Sequence, residues 1–272
     1  MKRLITAAVG APLALWALFR LPTGLFFALA AVLFCFPAWE FSRIQGRWAP
    51  AAPLWLVVPL VPLTAVALAP GVVVGQPLDG ARVLAGLLSL GAAVAVLLAR
   101  TPVEQAAPAM GALAFGALYL GLPLAALANL QARAPWWLFL LLAVVWIGDS
   151  AAFYVGTRFG RRRLAPVVSP KKSWEGGLAA VVASAVVAAV WTAWRDASFD
   201  WSLLALAAAT SVAAQLGDLV ESLLKRGAGV KDSGNLLPGH GGFLDRLDAL
   251  LFAAPVWWLL LAITGRLAGG ES

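Results

Sequence analysis

Nine apolar runs divide this chain, at 4–19, 21–41, 53–69, 81–99, 107–128, 135–156, 177–195, 201–224 and 243–265, with short polar breaks between them. A run of about 20 apolar residues, at ~1.5 Å per residue, crosses a hydrocarbon layer of ~30 Å. That layer offers the peptide groups no water, so each run must satisfy its backbone internally, as a helix. Charged residues make up 12% of the chain, about half the ~25% of a soluble domain. The expected fold is therefore an all-α polytopic membrane protein, a bundle of about nine transmembrane helices. The third run, at 53–69, is short for a passage.

Lys2 and Arg3 precede the first run much as basic residues open a signal peptide. The second run follows almost at once, so a retained helical hairpin is expected. The lone Cys35 permits neither an internal disulfide nor a cysteine metal cluster. Thirteen tryptophans suit a chain anchored at two membrane interfaces. The net charge of +7 lies in short loops between apolar runs. It points to anionic membrane lipids or nucleotide phosphates as partners, and away from nucleic acid.

With nine spans, fourteen of the twenty lysines and arginines fall on the side of the N-terminus and five on the other, Arg246 at a helix end completing the set. The positive-inside rule makes the richer side cytoplasmic. The N-terminus is then expected to be cytoplasmic, with a bacterial cytoplasmic membrane as the expected location. Two regions are expected: N-terminal helices over 1–134, and a catalytic region over 135–272. The two most polar loops of the latter, 157–176 and 225–242, share the cytoplasmic face.

Ionisable groups inside apolar runs are expensive and mark function by default. Asp218, Glu221, Ser222 and Lys225 are spaced i, i+3, i+4 and i+7, along one helix face. Asp245 and Asp248 stand i, i+3 at the start of the next run. A helical hairpin would bring the two acidic patches together. Paired carboxylates, with one histidine and one cysteine in the whole chain, suit a hard cation such as Mg²⁺ that also takes phosphate oxygens. Lys225, Arg226 and Lys231 can meet polyphosphate, and the glycines around them admit close backbone approach. An ion-pair network, Asp218 with Arg246 for instance, is the plain structural alternative. His240 is either a general acid/base, a phosphate donor or a shaper of its turn.

Lys171, Lys172 and Ser173 precede a helix N-terminus, a natural phosphate site. Arg158 and Arg161–Arg163 read as a positive-inside anchor, and Trp174 as an interfacial one. Asp149 lies within an apolar helix. Glu40, Asp79 and Glu104, at the ends of apolar runs, read as solvated.

The 222–248 stretch resembles the signature of the phosphatidate cytidylyltransferase (CDP-diacylglycerol synthase) family. The matching positions are Ser222, Lys225, Arg226, Lys231, Asp232, Pro238, His240, Gly241, Gly242, Asp245, Arg246 and Asp248. The 149–177 block is similar too, with Ser173 where the family usually has Thr, and Phe153-Tyr154 where it usually has Tyr-Phe. The resemblance implies transfer of CMP from CTP to phosphatidic acid, giving CDP-diacylglycerol and pyrophosphate. It implies Mg²⁺, alone or with a second cation, on Asp218 and Asp245, with Asp248 and Asp149 as further candidates. Lys225, Arg226, Lys172 and Ser173 would hold phosphates, with Lys231 beside them. A phosphate oxygen is already anionic near neutral pH, which lessens the need for His240 as a base. A homodimer is compatible with the sequence and is not fixed by it. A transporter, or an enzyme for a different lipid phosphate, would carry similar intramembrane acids.

Overall fold

The computed structural model describes residues 12–13, 15–69, 91, 94–99, 101–195, 199–236 and 241–267. In chain order the elements are α1 (Thr23–Gln45), a 3₁₀ turn (Leu54–Leu56), α2 (Val57–Leu68), α3 (Val103–Arg133), α4 (Pro135–Phe159), β1 (Arg163–Ala165), β2 (Ser169–Ser173), α5 (Trp174–Arg195), α6 (Trp201–Gly227) and α7 (Leu244–Ile263). Among the described residues, six helices are long and apolar enough to cross a membrane: α1 and α3 to α7. The fold is that of an all-α polytopic membrane protein. Among the described residues, Pro37, Pro62, Pro108, Pro123 and Pro255 lie inside these helices. Membrane bundles tolerate them because neighbouring groups satisfy the freed carbonyls.

Two expectations change. The run at 53–69 forms only the 3₁₀ turn and the 12-residue α2, about 18 Å of helix at ~1.5 Å per residue, short of a full passage. Ala69 ends it at φ −128°, ψ 51°, and Pro70 follows; the residue before a proline is disfavoured in the α region. The 157–176 loop is not irregular throughout: β1 and β2 pair antiparallel, with Arg163 opposite Ser173 and Ala165 opposite Ser169. The runs at 4–19 and 81–99 lie largely outside the described residues.

The chain forms two compact units, Met1–Ala132 with Leu224–Leu247, and Arg133–Leu223 with Asp248–Ser272. In the first, Phe41 of α1 meets Phe115 and Tyr119 of α3, with ring centroids 6.0 and 6.1 Å away. The Gln131 amide donates to the Leu21 carbonyl at 3.0 Å. The 224–247 segment joins these helices because Arg47 and Trp48, just past α1, donate to the carbonyls of Ala228 and Gly227 at 3.0 and 3.2 Å.

In the second unit α4 and α5 form an antiparallel hairpin. Gly156 faces Gly176, and Ser184 donates to the Val144 carbonyl at 3.3 Å. At the far end Trp136 packs on Trp191 and Trp194, centroids 6.0 and 6.3 Å apart. A Cβ on Gly176 would stand 2.8 Å from the Ala152 carbonyl oxygen, so only glycine permits this approach. The Ser173 hydroxyl accepts the Gly176 N–H at 3.2 Å, an N-cap for α5. Glu175 takes the Arg162 N–H, tying the β-hairpin to the helix start. From α7, the Trp257 indole donates to the Trp137 carbonyl at 3.0 Å.

Asp200 caps α6. One carboxylate oxygen accepts the Ser202 hydroxyl at 2.7 Å and the N–H groups of Ser202 and Leu203 at 3.0 and 3.2 Å, and the other meets Arg266 at 2.5 Å. The Ser202 hydroxyl, then Arg266, hold its carboxyl down at about 2. The folded value lies below the unfolded one of ~3.9. The stabilisation is thus full above that value and lost as pH falls through about 2. Asp200→Ala should lower stability by about 1 kcal/mol at pH 7. In detergent melting curves the gap between wild type and variant should persist down to pH ~4 and close toward pH 2. A gap already gone at pH 5 would refute the cap.

Candidate functional site

The signature residues fall into two groups, one in each compact unit. In the second unit α4, β2, α6 and α7 contribute Asp149, Lys172, Asp218 and Asp248. Lys172 ion-pairs with Asp218, their side chains 25% and 34% exposed. Ser222, one turn along α6, donates to the Asp218 carboxylate at 3.4 Å. Asp149, Asp218 and Asp248 lie near enough to repel one another, and Lys172 offsets part of that charge. A Cβ on Gly217 would come within 2.6 Å of the Asp248 carbonyl oxygen, so glycine lets α6 and α7 draw these acids together. Gln215 donates to the Gly177 carbonyl at 3.2 Å, pinning α6 to the start of α5.

An acidic cluster beside one ammonium suits a further cation or a cation–phosphate pair. Among the described residues no group of three or more His, Cys, Asp or Glu side chains is tight enough to hold a metal ion alone. Mg²⁺ does not need one. It commonly takes one or two carboxylates, keeps several waters and completes its shell with substrate phosphates. Asp218, partly exposed and flanked by two further acids, fits that mode. Ser173 is 4% exposed and its hydroxyl oxygen is engaged by Gly176. A phosphate would therefore meet it only through the hydroxyl proton.

In the first unit the Lys225 ammonium lies 2.5 Å from one oxygen of Asp245, and the Lys225 side chain is 11% exposed. The other Asp245 oxygen accepts the Gly242 N–H at 2.8 Å, and the Ser233 N–H and hydroxyl at 3.0 Å each. Lys225 thus holds one oxygen of this carboxylate, and the backbone N–H groups of Ser233 and Gly242 hold the other. Arg226 and Lys231 are exposed, and the Arg226 guanidinium donates to the Val230 carbonyl at 3.2 Å. Arg246 is exposed at the first turn of α7. His240 and Pro238 lie outside the described residues.

Glu40 was expected to be solvated and is not: it is 2% exposed. One oxygen accepts the Ser233 hydroxyl at 2.9 Å and the Leu244 N–H at 2.8 Å, the other the Phe243 N–H at 3.1 Å. Ser233 was not singled out from the sequence either. Like Asp218, Glu40 is a carboxylate within an apolar run, five residues before the end of α1. Ser233 carries no comparable signal, since a serine in a polar loop is ordinary.

The family model for the cytidylyltransferase family matches residues 1–264. A phosphatidate cytidylyltransferase of Brucella suis biovar 1 is 37% identical over 96% of this chain and 93% of its own length. One from Brucella melitensis biotype 1 is 36% identical over the same shares. One from Bacillus subtilis is 40% identical over 57% of this chain and 59% of its own length. With a family match and near full-length relatives in agreement, the chain belongs to the cytidylyltransferase family.

Proposed function

We propose that this protein transfers a cytidylyl group from CTP to phosphatidic acid in the membrane, giving CDP-diacylglycerol and pyrophosphate. The observation that carries this reading is the alignment of 96% of the chain with a relative named phosphatidate cytidylyltransferase. The site geometry supports it. Two lysines of the motif blocks, Lys172 and Lys225, are each held on an aspartate, Asp218 and Asp245.

A phosphate oxygen of the lipid attacks the α-phosphorus of CTP. A new P–O bond forms, the bond to the β-phosphate oxygen breaks, and pyrophosphate leaves with its electron pair. The nucleophile is already anionic, so the protein has little proton transfer to perform. Its work is to bring two anions together and offset charge as it develops. Arg226 and Lys231, exposed near the end of α6, take nucleotide phosphates. Lys172 and Lys225 are held in place by their aspartates and offer their ammonium groups to an entering phosphate. Mg²⁺ would supply charge neutralisation and orientation of the polyphosphate. Asp218 is the carboxylate proposed to hold it, and Asp245 is a second candidate in its own unit, available only where Lys225 releases it.

Clustered lysines and arginines favour a cytoplasmic face for the loops 157–176 and 225–242, with the N-terminus on that side in the nine-span count. CTP is made in the cytoplasm, which agrees. The membrane is then the inner membrane of a bacterium. A homodimer is compatible with this reading.

Purified protein in detergent, given CTP labelled at the α-phosphate and a panel of lipid phosphates, should form a CDP-lipid with phosphatidic acid and release pyrophosphate only with a divalent cation. CTP hydrolysis without any CDP-lipid would reject the reaction, and product only with another lipid phosphate would reject the acceptor. Asp218→Asn should slow transfer on the order of 10²-fold and raise the Mg²⁺ concentration for half-maximal rate, with melting temperature followed on the same samples. An unchanged rate and Mg²⁺ dependence would remove Asp218 from the site. For orientation, Asn235 is exposed and engages neither acid. Asn235→Cys in a Cys35→Ser background should react with an impermeant maleimide only after the inner membrane is opened. Labelling in cells with an intact inner membrane would reverse the assigned side.

A further inference from the structure

We propose that Glu40 is a positioning residue for cytidylyl transfer, holding the loop that carries Ser233 and Gly242 and, through it, the Asp245–Lys225 pair. The inference rests on the reading above, in which that pair serves the transfer. It places a residue of the second apolar run in the working machinery, although the motif lies some two hundred residues further on.

The N-terminus of α7 needs acceptors from outside the helix. Its first N–H groups lack partners within the helix and need an acceptor. A side-chain oxygen at the N-cap position usually supplies one, but Phe243 stands there and has none. Glu40 substitutes for it from α1, accepting the N–H groups of both Phe243 and Leu244. Its negative charge also opposes the positive end of the helix dipole. One helical turn before Glu40, Phe36 stacks on Phe243, centroids 4.9 Å apart and planes 17° apart. The end of α1 is therefore fixed to the start of α7 by an apolar contact as well as by polar ones.

The same carboxylate reaches the preceding loop through Ser233, whose hydroxyl lies 2.9 Å from Glu40 and 3.0 Å from Asp245. A hydroxyl has one proton to donate, so Ser233 can serve only one of the two acids at a time. The Ser233 and Gly242 N–H groups then anchor Asp245, which leaves its second oxygen for Lys225. The pocket leaves no room for a side chain at Gly242, where a Cβ would fall 2.0 Å from the Ser233 hydroxyl oxygen and 2.5 Å from both Glu40 oxygens. Gly241 beside it sits at φ +81°, a conformation that favours glycine. The Gly-Gly of the motif thus shapes the loop around Glu40 and Asp245.

The test compares wild type, Glu40→Gln, Glu40→Asp and Ser233→Ala as full-length protein in detergent. Three readouts are kinetics per folded molecule, melting temperature, and hydrogen exchange of peptides covering 228–247. Glu40→Gln keeps the size but presents an amide donor to N–H groups that need an acceptor. We expect a fall in kcat of tenfold or more, with KM for phosphatidic acid changed less than threefold. Faster exchange should be confined to 228–247, and Glu40→Asp should restore part of kcat. The double variant Glu40→Gln/Ser233→Ala should be little slower than the slower single one, because both act through one loop. Wild-type kcat and KM in folded Glu40→Gln, or losses that only track the folded fraction, would overturn the proposal. So would unchanged exchange over 228–247. If wild type makes no CDP-lipid, the reaction fails and the catalytic role falls with it, while the exchange data still decide whether Glu40 holds the loop.

Discussion

A carboxylate carried on an apolar helix must be met by donors or cations, because removing its charge from water is too costly to leave uncompensated. Much of the functional architecture here follows from that requirement. Asp218 is met by Lys172 and Ser222, Asp245 by Lys225, Ser233 and Gly242, and Glu40 by Ser233, Phe243 and Leu244. Apart from Ser222 with Asp218 inside α6, these interactions join segments that the sequence keeps apart or fix the loop before α7. The charges thus keep the segments in place.

Glycine is the complement of this scheme. Apolar helices in lipid gain little from a hydrophobic driving force between one another, and rely on close packing and hydrogen bonds. Gly176 against Ala152 and Gly217 against Asp248 are contacts that a Cβ would prevent. Both lie next to candidate site residues: Gly176 follows Lys172 and Ser173, and Gly217 precedes Asp218. Close backbone approach and placement of the polar groups are therefore one feature. The β-hairpin of β1 and β2 does similar work outside the helices, because Glu175 fixes its start at Arg162 and Ser173 caps α5 at its end.

Much of the fold was legible along the chain. Long apolar runs leave a backbone in lipid no option but helices, and the five runs from 107–128 to 243–265, with the one at 21–41, correspond to the six long helices. The run at 53–69 forms a shorter helix than its apolar length suggests, because hydropathy does not register that α2 ends just before Pro70. Charge inside apolar runs pointed to Asp149, Asp218 and the residues of the motif. Glu40 obeyed the same rule and was passed over because it stands near the end of its run, where solvent is the ordinary partner.

What the sequence determined by itself was chemical type and order: helices in lipid, acids and bases at fixed spacing, glycines where backbones approach, and membership of the cytidylyltransferase family. Spacing along one helix places Asp218 and Ser222 on one face, since 3.6 residues complete a turn. It cannot say which lysine meets which aspartate. Only the tertiary structure decided that Lys172 takes Asp218, that Lys225 takes Asp245, and that a carboxylate on α1 caps α7. The physical reason is that these partners lie up to 204 residues apart. Their meeting depends on how whole helices pack, and no local periodicity encodes that.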